Sequence, residues 1–390
     1  MLDLKAIQNY LKKEQLDGWL MADFHARNTI AVSFLNFPDN VTRRFCYFIP
    51  AEGEPVAIIH NIEKNKFASI PGRHIYFSSY KLLESSLQNI LKGKNRIAME
   101  YSPNGRLPYI GLVSAGTVEL VRSFGVEIVS SADLVAYFQA RMTPEQVQSH
   151  KRAALLVNQI KDEAFAYIKE NLGNGDELDE RMVMNFIMMR FSEEELMIDF
   201  GPICAVDANI SNPHYEPPEE GSAEIAKGKL VLLDMWAKLN RPHAVFADIT
   251  WMGYVGKEIP EKYRSVFSIV TSARDRAISF IRENYGKTTL YGYDVDDACR
   301  KVIADAGYGE YFFHRTGHSI LESVHGPGPN IDNLETEDRR KLMPGHLFSI
   351  EPGIYLPEYG FRSEIDCMLT ENGPEVTTLP MQQEIIPILA

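Results

Sequence analysis

Residues 228–234 read GKLVLLD and residues 345–351 read GHLFSIE. In both, a glycine precedes a β-like apolar run, and an acid, Asp234 or Glu351, stands six residues after the glycine. A second β-rich run follows each: VFADIT carries Asp248, and FRSEIDCML carries Glu364. Asn240-Arg241-Pro242 lies between the first two runs and Leu356-Pro357-Glu358-Tyr359-Gly360 between the second two. Both stretches have turn composition, so each pair of runs reads as a hairpin. With the first turn centred on Arg241, Asp234 and Asp248 are expected opposite each other, and Glu351 and Glu364 likewise. Opposed residues share a face, with Cβ atoms roughly 5 Å apart.

Like charges opposed in a sheet are destabilising, and on an apolar face they are costly unless something neutralises them. Any one of these acids alone would read as a solvated surface residue. Four in paired register, each following an apolar run, point to divalent cations. Two-metal hydrolytic sites hold ions about 3.5–4 Å apart, a span that bridging carboxylates fit.

Three of the ten histidines, His314, His318 and His325, fall within HRTGHSILESVHGPGPN. Gly317 and the Gly-Pro-Gly-Pro stretch after His325 make this a loop. The HxxxH spacing lacks the glutamate of a zincin helix. Beside four carboxylates, one histidine suits a ligand and the others proton transfer. His214, in SNPHYEPP, is a further candidate, although alone it reads as a polar loop residue.

Around this centre the chain reads as two domains, 1–142 and 143–390. The first alternates helical and strand patterns: a helix over 3–15, strands near 18–21, 45–49, 55–60 and 96–99, and a helix bearing Leu83, Leu87, Ile90 and Leu91 that Gly93 stops. This is an α/β domain by pattern. Thr143-Pro144-Glu145-Gln146 opens the second with a capping signal. Its first helix presents Ala153, Leu156, Val157, Ile160, Ala164 and Ile168 and ends at 171–175. A second, over 178–191, carries Met182, Met184, Met188 and Met189, which read as core filler.

The 390 residues include 40 basic and 53 acidic ones, for a net charge of −13. Such an acidic surface repels phosphate backbones, which disfavours a nucleic-acid partner. Cys46, Cys204, Cys299 and Cys367 are scattered with no CxxC pair, against a zinc ribbon or a disulfide scaffold. The N-terminus has no signal-like apolar core, and no run is long enough to span a bilayer. A cytoplasmic protein with no membrane partner is expected.

The ordered set Asp234, Asp248, His318, Glu351 and Glu364, with the contexts ADIT, TGHSI, SIEPGIY and FRSE, resembles the pita-bread metallopeptidases: methionine aminopeptidase, Xaa-Pro aminopeptidase, prolidase and their metal-free relative creatinase. The resemblance implies an α/β N-terminal domain plus an α+β pita-bread (creatinase/aminopeptidase) catalytic domain. It implies an Xaa-Pro aminopeptidase or dipeptidase that cleaves small peptides before proline with a metal-bridging hydroxide. Asp234 would hold one metal, His318 and Glu351 the other, and Asp248 and Glu364 would bridge both. Glu351 would also shuttle a proton. His325 and His214 match histidines that contact substrate, His314 one that lines the pocket, and Arg362 an arginine that supports a metal-binding aspartate. Manganese is favoured, and cobalt, zinc or iron also suit such ligands. The N-terminal domain implies a homodimer in which it closes the neighbouring active site. His25, Arg27 and Asn28 are candidates for that task, and otherwise read as surface residues.

Two features depart from the family pattern. Trp236 stands where a glycine is usual, and the familiar DITRT is here Asp248-Ile-Thr-Trp-Met, after a longer hairpin. Substrate specificity is therefore open. A related metal-dependent hydrolase or lyase on a small non-peptide substrate and a non-enzymatic binding protein are the alternatives, the second disfavoured by the complete ligand set.

Overall fold

A mixed six-stranded sheet organises the first of two units, Met1–Gln139, in a computed structural model that describes residues 3–36 and 41–390. Its strands are β1 (Gly18–Asp23), β2 (Phe45–Pro50), β3 (Val56–His60), β4 (Arg73–Phe77), β5 (Arg96–Met99) and β6 (Glu127–Ser130), in the order β4-β3-β2-β1-β5-β6. The helices are α1 (Leu4–Lys13), α2 (Thr29–Leu35), α3 (Tyr80–Leu91), α4 (Ala115–Ser123) and α5 (Ala132–Gln139). Successive strand residues point to opposite faces. Trp19 and Met21 of β1 accordingly pack with Ile7 and Leu134, while Leu20 and Ala22 pack with Leu87 and Val121. With helices on both faces, every residue of β1 and β2 is buried.

Asn28 is not a surface residue. It is fully buried, donates to Ala22 O and Glu100 Oε2, and caps α2 by accepting from Ala31 N. His25 and Arg27 beside it are exposed.

In the second unit, Ala140–Ala390, α6 (Pro144–Asn174) starts at the capping box of Thr143 and Gln146 and stops at Gly175, whose φ of 84° closes the last turn. Its apolar stripe packs on the hairpin of β9 (Leu230–Leu239) and β10 (Ala247–Tyr254). Helix α7 (Glu180–Glu193) follows, then the short strands β7 (Leu196–Met197) and β8 (Ile203–Val206), both paired with β9. Only one stripe of α7 is covered, made by Val183, Met184, Ile187 and Phe191. Met182, Met188 and Met189 are therefore 40%, 39% and 49% exposed rather than core filler. Helices α8 (Glu261–Asn284) and α9 (Gly292–Asp305) supply the core on the hairpin's other side.

The second hairpin is built from β11 (Leu347–Ile350) and β12 (Gly353–Tyr355) going out, and β13 (Gly360–Arg362) and β14 (Ile365–Thr370) returning. Strand β15 (Gly373–Val376) extends β14, and β16 (Ile386–Pro387) lies along β10. All four cysteines are buried and free. Among the described residues no helix is long and apolar enough to cross a membrane.

Candidate metal centre

The hairpins place their acids differently. In the first, Asp234 pairs with Thr250 and Asp248 pairs with Trp236. Asp234 and Asp248 are thus diagonal neighbours on one face, not directly opposed. The loop's centre of pairing falls one residue later than Arg241, which shifts the partner by two and leaves the face unchanged. In the second, the ladders on either side share one register, and Glu351 falls opposite Glu364 in it. An isolated bridge between Thr250 and Glu364 joins the two hairpins.

Thr250 and Arg362 organise this seam. The Thr250 hydroxyl donates to Glu364 Oε2 at 2.7 Å and accepts from Arg362 Nε at 3.1 Å. Arg362 Nη2 donates to Asp234 Oδ2. Its Nη1 donates to the Tyr355 hydroxyl at 3.2 Å, which donates onward to His314 Nε2 at 2.7 Å. His314 Nδ1 donates to Arg315 O, so its other nitrogen is left as an acceptor. Burial and the nearby Arg362 push the His314 pKa down to about 3, in keeping with a neutral ring.

His318 enters from the far side. Its main-chain N–H donates to Ser349 Oγ at 2.9 Å, and that hydroxyl donates to Glu351 Oε1 at 3.1 Å. His318 Nδ1 donates to Ser319 O, which turns Nε2 toward the carboxylates. Nε2 lies 3.6 Å from Asp248 Oδ2 and 3.5 Å from Glu351 Oε1. Burial pushes its pKa down to about 3, so the ring is a neutral donor of a lone pair.

Asp248, His318 and Glu364 each offer a ligand atom within 4.8 Å of the others, and all three are buried. Glu351 adjoins through His318, and Asp234 lies on the Arg362 side. Burial raises the pKa of Asp234, Asp248, Glu351 and Glu364, and their mutual repulsion adds to it for all but Glu351. Arg362 offsets part of this in every case. Asp248 Oδ1 is buried with no hydrogen-bond partner among the described residues. Three buried carboxylates, the half-buried Glu351, one cation and a lone-pair nitrogen suit divalent cations, which relieve both the repulsion and the orphaned oxygen.

The remaining histidines stand at the rim. The His325 ring is edge-on to His318, with centroids 4.5 Å apart. Partial burial lowers its pKa, and the nearby Arg315 adds to this. The side chains of His325 and His214 nonetheless reach solvent.

Several contributors have no role in the sequence reading. Ser349 and Tyr355 are the two ends of the SIEPGIY context, and Asp366 accepts from Asp248 N at 2.8 Å. Glu180 accepts from Val206 N, Asn209 Nδ2, Tyr215 OH and Ala223 N, and so holds the segment that bears His214. The one local signal is a polar residue in an otherwise apolar strand, as at Thr250 and Asp366.

The profile of metallopeptidase family M24 matches residues 148–371. A Staphylococcus epidermidis protein described as an uncharacterized peptidase is 25% identical over 386 residues, covering 97% of this chain and 99% of that one. An Xaa-Pro dipeptidase of Lactobacillus delbrueckii subsp. lactis is 30% identical over 262 residues, 66% of this chain and 65% of that one. Among solved structures, a dipeptidase from Mycobacterium ulcerans superposes with a TM-score of 0.70 at 21% identity, over 98% of this chain and 96% of that one.

Proposed function

The chain belongs to metallopeptidase family M24, with its pita-bread fold behind an N-terminal domain, and from that premise we propose a dinuclear Xaa-Pro peptidase that cleaves the bond before proline. The observation that carries the reading is the buried convergence of Asp248, His318 and Glu364 with the orphaned Asp248 oxygen. The Xaa-Pro part leans on the likeness to the Lactobacillus dipeptidase.

In this reading Asp234, Asp248, His318, Glu351 and Glu364 hold two divalent cations, with manganese the first choice. Bound cations supply a water that is nucleophilic at neutral pH and a Lewis acid for the scissile carbonyl. Arg362 aims Asp234 and offsets part of the cost of burying its charge, and Thr250 orients Glu364. Glu351, whose pKa is raised by burial, carries a proton on a carboxylate oxygen toward the leaving nitrogen. His325 and His214 contact the substrate from the rim and donate to the oxygen that gains charge. His314 lines the pocket through Tyr355. A homodimer in the cytoplasm is part of the same reading.

The test is mass-spectrometric cleavage of a mixed panel with added manganese or with a chelator. The panel holds Xaa-Pro dipeptides, longer Xaa-Pro peptides, Met-Ala peptides and creatine. Manganese-dependent cleavage before proline is expected, and peptide length separates dipeptidase from aminopeptidase. A protein that binds two metals yet cleaves no peptide is instead a small-molecule hydrolase.

A further inference from the structure

We propose that Trp236 is a specificity-determining residue: its indole N–H donates to an acceptor oxygen of the bound peptide, and its ring limits what can lie beside Asp248. The proposal rests on the peptidase reading above and says what kind of substrate the site takes.

Position is the first observation. Side chains alternate along β9, so Asp234, Trp236 and Lys238 share a face. Asp248 is the direct cross-strand partner of Trp236, which roots the indole with its Cβ roughly 5 Å from that of a carboxylate in the ligand cluster.

The second is a pair of orphans on these facing residues. Trp236 Nε1 and Asp248 Oδ1 are both buried, and neither has a hydrogen-bond partner among the described residues. A buried indole N–H ordinarily finds an acceptor, and leaving it unmade costs about 1–3 kcal/mol. A cation satisfies the carboxylate oxygen but repels the positive end of an N–H. The indole therefore needs an oxygen beside the metal site, and a peptide carbonyl or carboxylate provides one.

Rigidity is the third. The ring packs against the core cluster of Phe348 and Ile350 and also against the small cluster of Phe246, Ile320 and Leu321. Val324, the neighbour of His325, packs on that same small cluster. The segment is tied to the hairpin through Phe246 N to Leu321 O at 3.0 Å and Lys238 Nζ to Glu322 O at 2.5 Å. The indole thus packs on the same small cluster as the segment that bears His325. A fixed apolar face there favours a compact residue next to the scissile bond and excludes bulky ones.

Two variants separate donor from wall. Trp236→Phe keeps a ring and removes the N–H; Trp236→Ala removes both. With metal content by mass spectrometry unchanged, Trp236→Phe is expected to lose about 10-fold in kcat/KM on Xaa-Pro substrates, chiefly through KM. Trp236→Ala is expected to raise the kcat/KM ratio of bulky over compact substrates about 10-fold. Independently, 15N-indole spectra of the zinc-loaded protein resolve its three tryptophans. Ala-Pro and acetate are expected to shift the Trp236 resonance and leave Trp19 and Trp251 in place. An unmoved Trp236 resonance, or Trp236→Phe with wild-type kcat and KM, overturns the proposal. A moved resonance without cleavage of any panel peptide sustains it and overturns the peptidase reading instead.

Discussion

The Asp366 carboxylate accepts the main-chain N–H of Asp248 at 2.8 Å. A buried acid that does not enter the ligand cluster thus anchors the strand of one that does. The main-chain N–H of Asp366 donates in turn to Thr378 Oγ1, and His150 Nε2 lies 4.0 Å from its carboxylate. An asparagine keeps an acceptor for Asp248 N and removes a charge that raises the Asp248 pKa. Asp366→Asn is therefore expected to leave the metal-free protein as stable as wild type or more so. Asp366→Ala strands the N–H and is expected to cost about 1–3 kcal/mol. Urea denaturation of both variants in chelator decides; equal losses would refute the anchoring role.

Glu180 does comparable work at the rim. Its two oxygens accept four donors, at 2.6 Å from Val206 N, 2.9 Å from Asn209 Nδ2, 2.6 Å from Tyr215 OH and 3.1 Å from Ala223 N. These donors bracket His214. Glu180→Ala is expected to destabilise by on the order of 3 kcal/mol, since several buried donors lose their acceptor at once. It should also lower kcat/KM while the metal stays bound, and expose the 207–222 segment to limited proteolysis. Unchanged protease resistance would detach Glu180 from that segment.

The raised carboxyls make a pH prediction. Native Asp234, Asp248, Glu351 and Glu364 hold protons at pH values where unfolded carboxylates, with pKa near 4, have lost them. The native state then binds more protons, so metal-free stability falls as pH rises from that unfolded value through the raised native ones. His314 and His318 act oppositely, because their native pKa values near 3 lie below the unfolded value of about 6.5. Their contribution is complete above pH 6.5. Between pH 6.5 and 8.5, Tm in chelator is expected to decline with pH, while the manganese-loaded protein stays nearly flat and higher. Parallel curves in calorimetry would count against carboxylate repulsion as the destabilising term.

Local patterns made part of this legible. Gly228 and Gly345, which open the two similar runs, both adopt left-handed φ, 94° and 97°. Each donates its N–H into the return of its own hairpin, to Val255 O at 2.8 Å and Leu369 O at 2.7 Å. The repeat read from seven residues is thus a repeat of backbone geometry. The capping box at Thr143 is equally local, and it forms. The register of the first hairpin was not legible, because it depends on the conformation of the 240–246 loop, where His243 takes a φ of 60°; that of the second matches the expectation. The exposure of Met188 and Met189 depends on which neighbours α7 acquires, which no helical period states. Asn28 was beyond reach for the same reason. Its buried partner Glu100 also takes Trp19 Nε1 and Ser131 Oγ, contacts between residues far apart in the chain.

Asp248 and Glu364 are the two ligand-cluster carboxylates, and the charge of Asp248 raises the pKa of Glu364 beyond what burial does. Alanine at either is expected to remove bound metal and Xaa-Pro cleavage together. In chelator and toward alkaline pH the same changes should stabilise, because each removes a buried carboxyl that repels its neighbours once ionised. Metal retained at full stoichiometry in either variant would sink the bridging assignment.

Arg362 gives the complementary case. It is 3% exposed and donates to Asp234, Thr250 and Tyr355. Burial disfavours its charge, yet Tyr355, Asp234, Glu351 and Glu364 together hold it firmly protonated. Truncating one partner of a buried pair typically costs 3–5 kcal/mol, most of it from the charge left behind. Arg362→Ala is thus expected to destabilise by about that amount, and Arg362→Lys by less, since lysine keeps the positive charge although its ammonium cannot span the fork of Asp234, Thr250 and Tyr355. If the loss comes from a stranded Asp234 carboxylate, Asp234→Asn should recover much of it in the metal-free double variant. A double-mutant cycle measures that recovery as a coupling of about 1–3 kcal/mol. Simple additivity would mean that Arg362 acts through packing with Tyr355 alone.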